Sequence, residues 1–515
     1  MVTSKYIHYS LYRRSTSHTC LLQITPNRDL IWSPCFTDFQ CARLDVPLDW
    51  LDPSDDSRVI LAIIKLPAAD LTDYKGPVFT NPGGPGGSGV YALKNRGRLL
   101  QKVVGTNHDI ISFDPRGIGA TTPLVDCWSS KLRRDVWSMQ DVGVIDSHPG
   151  VLYDAYARSI ALSRLCIAAI GQNETGKENE ILSFVSTASV ARDMLEIMNK
   201  GGREKLRYWG FSYGTVLGGT FAAMYPNKID RMVNDGKSIP KCIDSYLQCL
   251  GNVDYSEWST NIHRNFLHDS DKIMAAFYHL CHKAGVSACA FYSSSPSLIK
   301  ERLQTVLENL KKHPIIVSPL DEITGLPEII TYSSLQRLIS ASLYRPILLF
   351  PFLAQVLASL EAGDGLPFLD VASTFGMHSE FSCNCEASGV TPILEVEGND
   401  DASIAIQCAD GGEMIETAEE FEEYANYLMG QGKSAGAVNA LFRMACAGWT
   451  STAKWRFTGT TCIDQYHSVS TNVRSQELSL ETQVIQSFSL QIKQTMSLHF
   501  AVQFRTQQVF PIRLS

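Results

Sequence analysis

One eight-residue stretch, Tyr208–Thr215, constrains the fold of this chain more than any other. It reads Tyr-Trp-Gly-Phe-Ser-Tyr-Gly-Thr and centres Ser212 in a Gly-x-Ser-x-Gly pentapeptide. A short strand-like segment precedes it, and a run of small apolar residues that ends at Pro226 follows it. A serine on a tight strand-to-helix turn is typical of a nucleophile raised above a sheet. The pattern predicts Ser212 as a nucleophile and the backbone N–H of Tyr213, at the helix start, as an oxyanion donor.

Strands and helices alternate around this turn. The order indicates a mostly parallel, doubly wound α/β sheet of the α/β-hydrolase type, with catalytic loops at the carboxyl ends of the strands. A largely helical stretch at 239–400 predicts a lid inserted over the site. The predicted strands are 41–50, 59–66, 78–80, 108–114 and 229–234, and the predicted helices are 185–200, 215–225, 297–312 and 333–343.

Two segments beyond the expected lid complete this pattern. Ile404–Cys408 is apolar and β-branched in part, and we expect the chain to return to a strand there. Glu413–Glu423 is strongly acidic, which indicates the solvated face of a helix.

A glycine-rich loop at 81–89 follows the third predicted strand. It contains five glycines and two prolines in Asn-Pro-Gly-Gly-Pro-Gly-Gly-Ser-Gly, so it cannot be regular structure. Backbone N–H groups in such a loop can come close to a ligand, so we interpret the loop as the second half of an oxyanion hole. A flexible linker and a phosphate loop are the alternatives, although no Gly-Lys-Ser/Thr follows. Downstream, Arg116 in Asp-Pro-Arg-Gly is predicted to order the neighbouring loop through charge-assisted bonds.

Composition excludes several classes of function. The net charge of −8 argues against nucleic acid or an anionic membrane as the main partner. The sequence contains no stretch of about 18 uninterrupted apolar residues, so no membrane span is predicted. The nearest one, 338–360, contains Arg345, Pro346 and Pro351 and is interpreted as broken buried helices. No cysteine and histidine spacing indicates a metal site, and we expect no metal and no organic cofactor.

The cysteines and the amino terminus bear on the compartment. Among fourteen cysteines, the close pairs Cys35/Cys41 and Cys281/Cys289 can form loop disulfides or stay free and buried. The first 28 residues are basic and contain no acid. They lack the apolar core of a secretory signal, so no signal peptide is predicted.

Several motifs, in their order, resemble a known group of enzymes. They are the 81–89 loop, Asp114-Pro-Arg-Gly-Ile-Gly, the Ser212 turn, Ala405-Ile-Gln-Cys-Ala-Asp and Cys446-Ala-Gly-Trp. Over roughly residues 30–458 the chain resembles the tripeptidyl aminopeptidases, secreted serine exopeptidases of the α/β-hydrolase superfamily related to prolyl aminopeptidases. The resemblance implies cleavage of short peptides from free N-termini through an acyl-enzyme on Ser212, and an extracellular protein.

The resemblance also implies particular site residues and domain boundaries. Oxyanion donors would be the backbone N–H groups of Gly83, Gly84 and Tyr213. Disulfides Cys127/Cys166 and Cys408/Cys446 become plausible, and Asp410 is a candidate for binding the substrate ammonium. The implied organisation is an unassigned start (1–29), the first part of the hydrolase core (30–238), the lid (239–400), a tripeptidyl aminopeptidase-like segment (401–458) and an atypical tail (459–515).

The tail departs from the family pattern. A catalytic acid and a base are expected after Trp449, but Thr460–Ser515 contains no glycine and is rich in Ser, Thr and Gln. The candidates in the required order are Asp464 and His499, with Asp235 as an alternative acid. We expect the tail not to be homologous to the family.

This departure keeps three functions open. The first is the exopeptidase, and the second is an esterase-type acyl hydrolase of the same fold. The third is a peptide-binding pseudoenzyme that lacks the catalytic histidine. Loss of the base in a serine hydrolase lowers turnover by about 10⁶, so the identity of the base decides between activity and binding alone.

Overall fold

A computed structural model describes residues 21–171, 180–235, 255–260, 263–264, 267, 269–318, 327–374, 398–414 and 416–457. Within these residues the strands are β1 (Ser33–Cys35), β2 (Phe39–Pro47), β3 (Arg58–Leu66), β4 (Gly76–Asn81), β5 (His108–Phe113), β6 (Leu206–Phe211), β7 (Ile229–Asp235), β8 (Ile315–Val317) and β9 (Glu328–Ile330).

The helices in the described part of the chain are α1 (Gly89–Val104), α2 (Lys131–Met139), α3 (Val151–Gly171), α4 (Thr187–Lys200), α5 (Gly214–Met224), α6 (Tyr255–Thr260), α7 (Ser270–Ala284), α8 (Pro296–Lys312), α9 (Tyr332–Tyr344), α10 (Pro346–Glu361), α11 (Leu366–Thr374), α12 (Asp400–Asp410), α13 (Ala418–Gln431) and α14 (Gly436–Met444).

Seven of these strands form one sheet in the order β1-β2-β3-β5-β4-β6-β7. β1, β2 and β3 pair antiparallel, and β3 pairs antiparallel with β5. From β5 onwards β4, β6 and β7 are all parallel. The prediction of a mostly parallel α/β-hydrolase sheet is therefore confirmed.

Alternation along β3 explains how helices cover both faces of the sheet. Val59, Leu61 and Ile63 join the buried cluster that contains residues of α4 and α5. Their neighbours Ala62, Ile64 and Leu66 join a second cluster, which contains residues of α1. Because successive side chains of a strand point to opposite faces, α1 lies on one face and α4 with α5 on the other.

A separate apolar core holds the helical part of the chain together. It draws large side chains from α7 to α11, and also from α13, α14 and the start of α3. The expected helices at 297–312 and 333–343 are present as α8 and α9. The break expected within 338–360 occurs at Arg345, whereas Pro351 lies inside α10. The helical core thus extends beyond 239–400, the range predicted for the lid.

The prediction of a strand at Ile404–Cys408 is wrong, because this segment lies within α12. The Asn399 side chain caps the helix by accepting the Ala402 N–H at 3.1 Å. Asp400 and Asp401 in the first turn complement the helix dipole. The buried residues Ala402, Ala405, Ile406 and Ala409 follow the i, i+3, i+4, i+7 spacing of one helix face. A five-residue apolar run is too short to show that periodicity.

The acidic segment 413–423 is only partly helical. α13 begins at Ala418, and Thr417 with Glu420 forms a capping box at its start. Phe421 and Tyr424 are buried, while the glutamates lie on the outer side, as expected for the solvated face of a helix.

The four disulfides considered from the sequence are all formed. They join Cys35 to Cys41, Cys127 to Cys166, Cys281 to Cys289 and Cys408 to Cys446. Among the helices that the structure describes, none is both long enough and apolar enough to cross a membrane.

Candidate active site

The turn that carries Ser212 has a strained backbone. Ser212 lies at φ 51°, in the left-handed region that non-glycine residues rarely occupy. The turn is held by the Ser212 N–H, which donates to the Asp235 carbonyl at 3.1 Å, and by the Thr215 N–H, which donates to the Ser212 carbonyl at 2.9 Å. Such strain, held by surrounding hydrogen bonds at the end of a strand, is a feature of functional turns.

The two glycines of the pentapeptide are required by close backbone approaches. A Cβ on Gly210 would lie 2.4 Å from the Gly214 carbonyl oxygen, and one on Gly214 would lie 2.8 Å from the Asn81 carbonyl oxygen. Both distances are shorter than real Cβ contacts, so only glycine allows the strand, the turn and the neighbouring loop to meet here.

The glycine-rich loop lies directly against Ser212. A Cβ on Gly83 would be 2.8 Å from the Ser212 Cβ and 2.9 Å from the Tyr213 nitrogen. The Gly83 N–H donates to the Asn81 side chain at 2.9 Å. Of the two glycines named as oxyanion donors, Gly84 is therefore the one whose N–H no described group engages. The oxyanion roles of Gly83, Gly84 and Tyr213 stay predictions.

The loop is fixed from two sides. On one side Asp114, fully buried, accepts the Ser88 hydroxyl at 2.7 Å and the Val90 N–H at 3.0 Å. Burial raises the pKa of Asp114, although these bonds act in the opposite direction. On the other side the Asn399 N–H donates to the Gly86 carbonyl at 3.1 Å. A rigid loop of this kind can present backbone N–H groups without reorganisation.

The Asp114–Gly119 turn is ordered as expected. Arg116 and Asp193 are both fully buried and form a two-point ion pair, with N–O distances of 2.6 and 2.8 Å. The remaining guanidinium N–H groups donate to the carbonyls of Pro47 and Leu48. Arg116 therefore ties the turn after β5 to α4 and to the end of β2.

The side-chain partner of the Ser212 hydroxyl in the described structure is Tyr344. The two oxygens lie 3.4 Å apart, and Tyr344, the last residue of α9, is 77% exposed. No described imidazole is hydrogen-bonded to Ser212. Asp464 and His499 lie outside the described residues, and their roles stay predictions. Asp235 is described but exposed, and its carbonyl rather than its carboxylate contacts the turn.

His263 is the buried imidazole among the described residues. Its ring packs against Trp258 and Phe442, with centroid distances of 5.8 and 5.3 Å. Burial, and after it the nearby Arg443, lowers the pKa of His263 to about 4. It is therefore neutral at neutral pH within an aromatic cluster.

Asp410, the candidate for binding the substrate ammonium, lies in a buried network. One carboxylate oxygen accepts the Thr187 N–H at 2.7 Å, and the other accepts Trp258 Nε1–H at 2.8 Å and the Thr187 hydroxyl. Asp410 is 4% exposed, and burial raises the pKa of its carboxyl group to about 6. The ammonium role stays a prediction, but both oxygens are already engaged by the protein.

Sequence reasoning missed Tyr344, Thr187 and Trp258. None belongs to a motif, and each reaches the site from a helix outside the Ser212 turn. Thr187 begins α4, Trp258 lies in α6 and Tyr344 ends α9. For Thr187, the sequence offered one signal: the Ser186-Thr187 pair precedes an apolar run. That pattern predicts the start of a helix, but it does not predict the contact of Thr187 with Asp410.

Among the described residues, one group has the proximity of metal ligands. Ligand atoms of Cys127, Cys166 and Asp401 lie within 4.8 Å of one another. The two sulfurs form a disulfide. They are therefore not the thiolates that bind metals.

Comparison with known proteins agrees with this geometry. The family model described as alpha/beta hydrolase fold matches residues 76–280. Serine protease Hip1 of Mycobacterium tuberculosis is 32% identical over 218 residues, which are 41% of this chain and 39% of that protein. Tripeptidyl aminopeptidase of Streptomyces lividans is 30% identical over 216 residues, 40% of this chain and 37% of that protein.

A third relative is named for a different activity. Carboxylesterase B of Mycobacterium tuberculosis is 31% identical over 161 residues, 30% of this chain and 28% of that protein. The matches to the protease and the aminopeptidase span about two fifths of the length of those relatives. Residues 76–280 match the alpha/beta hydrolase fold model, and the resemblance of the chain to tripeptidyl aminopeptidases is confirmed.

Proposed function

We propose that this chain is a serine hydrolase that removes short peptides from free N-termini through an acyl-enzyme on Ser212. The observation that carries the proposal is the Ser212 turn, with φ 51° and with the Gly83 backbone packed against the serine Cβ. The serine protease and tripeptidyl aminopeptidase relatives supply the substrate class. Because the matches cover only part of those proteins, peptide substrates remain part of the proposal.

In the proposed reaction Ser212 attacks the scissile carbonyl, and the carbonyl oxygen becomes an oxyanion. The backbone N–H groups of Tyr213 and Gly84 would donate to it at the start of α5, where the helix dipole also favours negative charge. A base must take the serine proton and return it to the leaving amine. His499, oriented by Asp464, is the predicted base.

Labelling with a fluorophosphonate tests whether Ser212 is activated. The expected result is a single phosphonylated residue in the wild-type chain, mapped to Ser212 by mass spectrometry, and no label in Ser212→Ala. Absence of label in folded wild-type protein would instead favour the peptide-binding pseudoenzyme. Isothermal titration with short peptides would then detect binding without turnover.

Substrate blocking separates the exopeptidase from an esterase. Tripeptide p-nitroanilides with a free amine should be cleaved much faster than the same peptides carrying an N-terminal acetyl group. The relative named carboxylesterase B favours the second candidate, an acyl hydrolase that ignores the amine. Rapid cleavage of p-nitrophenyl esters, together with equal rates on blocked and free peptides, would support that candidate.

We further propose that the protein works in an oxidising, extracellular compartment. Four disulfides join its described cysteines, and such bonds persist outside the cytosol. Alkylation without reduction, followed by peptide mapping, should leave these eight cysteines unmodified. Recovery of all of them as free thiols from native protein would refute the proposal.

A further inference from the structure

The Asp410 network reaches the residue that follows the nucleophile. The Thr187 hydroxyl contacts both the Asp410 carboxylate and the Tyr213 hydroxyl. An ionised carboxylate only accepts, so the single Thr187 proton must be donated to Asp410. The Tyr213 hydroxyl then donates to Thr187. The direction of the chain is therefore fixed as Tyr213 to Thr187 to Asp410.

The same network holds the Tyr213 ring. Tyr213 is 6% exposed, and its ring packs on Trp258 at a centroid distance of 5.3 Å. Trp258 in turn donates its indole N–H to Asp410. The side chain of Tyr213 is thus fixed at both its face and its hydroxyl by groups that share one carboxylate.

Further contacts hold the backbone of Asp410 in place. Arg456 donates to the Asp410 backbone carbonyl at 3.1 Å and to the Ser259 carbonyl at 2.8 Å. Asp410 is the last residue of α12, and the N-terminal part of that helix holds the glycine-rich loop through Asn399. One helix therefore supports both predicted halves of the oxyanion hole.

We propose that Asp410 is a positioning residue of the Ser212 site, which acts through Thr187 to fix Tyr213 and the direction of its backbone N–H. The inference rests on the proposed hydrolase function. In this role Asp410 does not bind the substrate ammonium directly, as the sequence suggested, but holds the oxyanion donor in position. A displacement of the donor by about 1 Å is enough to slow acylation as much as 100-fold.

The network makes specific demands on its members. Asp410→Asn replaces one acceptor oxygen of the carboxylate by an amide NH₂ group, which cannot accept a hydrogen bond. Thr187→Val removes the hydroxyl between Tyr213 and Asp410 while nearly preserving the shape of the side chain. Thr187→Ser keeps the hydroxyl. We expect the first two variants to lower the rate of fluorophosphonate labelling about 10- to 100-fold per folded molecule, and Thr187→Ser to stay within about 3-fold of wild type.

Asp401 supplies the matched control. It lies in the same helix, is 5% exposed, and accepts the Cys127 N–H at 3.0 Å and a bond from Arg134 at 2.8 Å. It makes no described contact with Tyr213 or Ser212. Asp401→Asn should therefore label at the wild-type rate once the folded fraction is measured, even if it destabilises the protein.

The experiment compares Asp410→Asn and Asp401→Asn at pH 8, with labelling rates, steady-state kinetics and hydrogen exchange of the 208–218 backbone. We expect Asp410→Asn to lower kcat at unchanged KM, on blocked and free peptides alike. We also expect faster hydrogen exchange of the 208–218 backbone in Asp410→Asn but not in Asp401→Asn. A raised KM confined to substrates with a free amine would overturn positioning in favour of ammonium binding. Equal labelling and exchange in the two variants would also overturn it.

Failure of the proposed function gives a different result. If the folded wild-type chain is not labelled by the fluorophosphonate, that result alone refutes the hydrolase proposal. Hydrogen exchange at 208–218 does not depend on catalysis, so it still tests whether Asp410 orders the Tyr213 segment. Unchanged exchange in Asp410→Asn relative to Asp401→Asn would then overturn the positioning role.

Discussion

The hydroxyl oxygens of Ser212 and Tyr344 lie 3.4 Å apart, across the boundary between the sheet and the helical region. Ser212 directly follows strand β6 of the sheet, whereas Tyr344 ends α9, more than 130 residues later. The helical region therefore places a polar group directly at the nucleophile.

Removal of that hydroxyl should have a small effect. At 3.4 Å, and with Tyr344 77% exposed, the bond is long and competes with water. We expect Tyr344→Phe to change the fluorophosphonate labelling rate of Ser212 by less than about 5-fold, equivalent to less than about 1 kcal/mol. Ser212→Ala, the control, should abolish labelling. A 100-fold loss in Tyr344→Phe would instead assign Tyr344 to the proton-transfer machinery.

A Cβ at Gly83 should disrupt the site. Gly83 and Gly150 both lie at φ 90°, but a Cβ would meet the Phe211 carbonyl oxygen at 2.3 Å in the first case and nothing within 4 Å in the second. Gly150→Ala therefore measures the backbone strain alone, about 1–3 kcal/mol. Gly83→Ala should lose a further 1–3 kcal/mol or so from overpacking, and its labelling as well.

Urea unfolding and labelling of the folded fraction check this pair of variants. The two alanine substitutions should differ in both measurements. Equal stability and equal labelling would mean that the glycine-rich loop can move away from Ser212 without loss, and that the close approach at Gly83 is not required.

The buried ion pair of Arg116 and Asp193 should matter more for stability than an exposed pair. Asp193→Asn leaves a fully buried guanidinium without its counter-charge, which costs about 3–5 kcal/mol. Asp55→Asn removes the partner of Arg28, where the side chains are 78% and 61% exposed, and should cost below about 1 kcal/mol. Urea denaturation of both variants provides the comparison, and similar losses would contradict the burial argument.

The pH dependence of stability should carry the signature of Asp410. Burial raises its pKa from 3.8 to about 6, so the folded protein keeps this proton at pH values where the unfolded chain has lost it. The resulting stabilisation is fully present below pH 3.8 and is lost as the pH rises through about 6. Relative to Asp410→Asn, the wild type should lose up to about 3 kcal/mol of unfolding free energy between pH 4 and pH 7.

Urea unfolding of the wild type and of Asp410→Asn at both pH values measures this difference. Other carboxylates contribute equally to both proteins and cancel in the subtraction. A difference that stays constant from pH 4 to pH 7 would show that Asp410 titrates near its ordinary value in the folded protein.

Local sequence was a reliable guide where strong local constraints act. The strand before Ser212, the tight turn and the helix after it were predicted from glycine spacing and apolar patterning, and all three are present as β6, the turn and α5. The same holds for the Arg116 turn. Spacing alone left Cys35/Cys41 and Cys281/Cys289 open between disulfides and free cysteines, and the other two disulfides were implied only by the family resemblance. The run at Ile404–Cys408 was misassigned, because its helical conformation depends on the cap at Asn399 and on burial of one helix face against residues distant in the chain.

By itself the sequence determined the α/β-hydrolase sheet, the nucleophile turn and the glycine-rich loop beside it. These features depend on backbone conformations and periodicities that adjacent residues specify. Only the tertiary structure decided that Tyr344 reaches Ser212 and that Asp410 is buried behind Tyr213. Those relationships join residues far apart in the chain, and packing of α4, α6, α9 and α12 around the sheet brings them together.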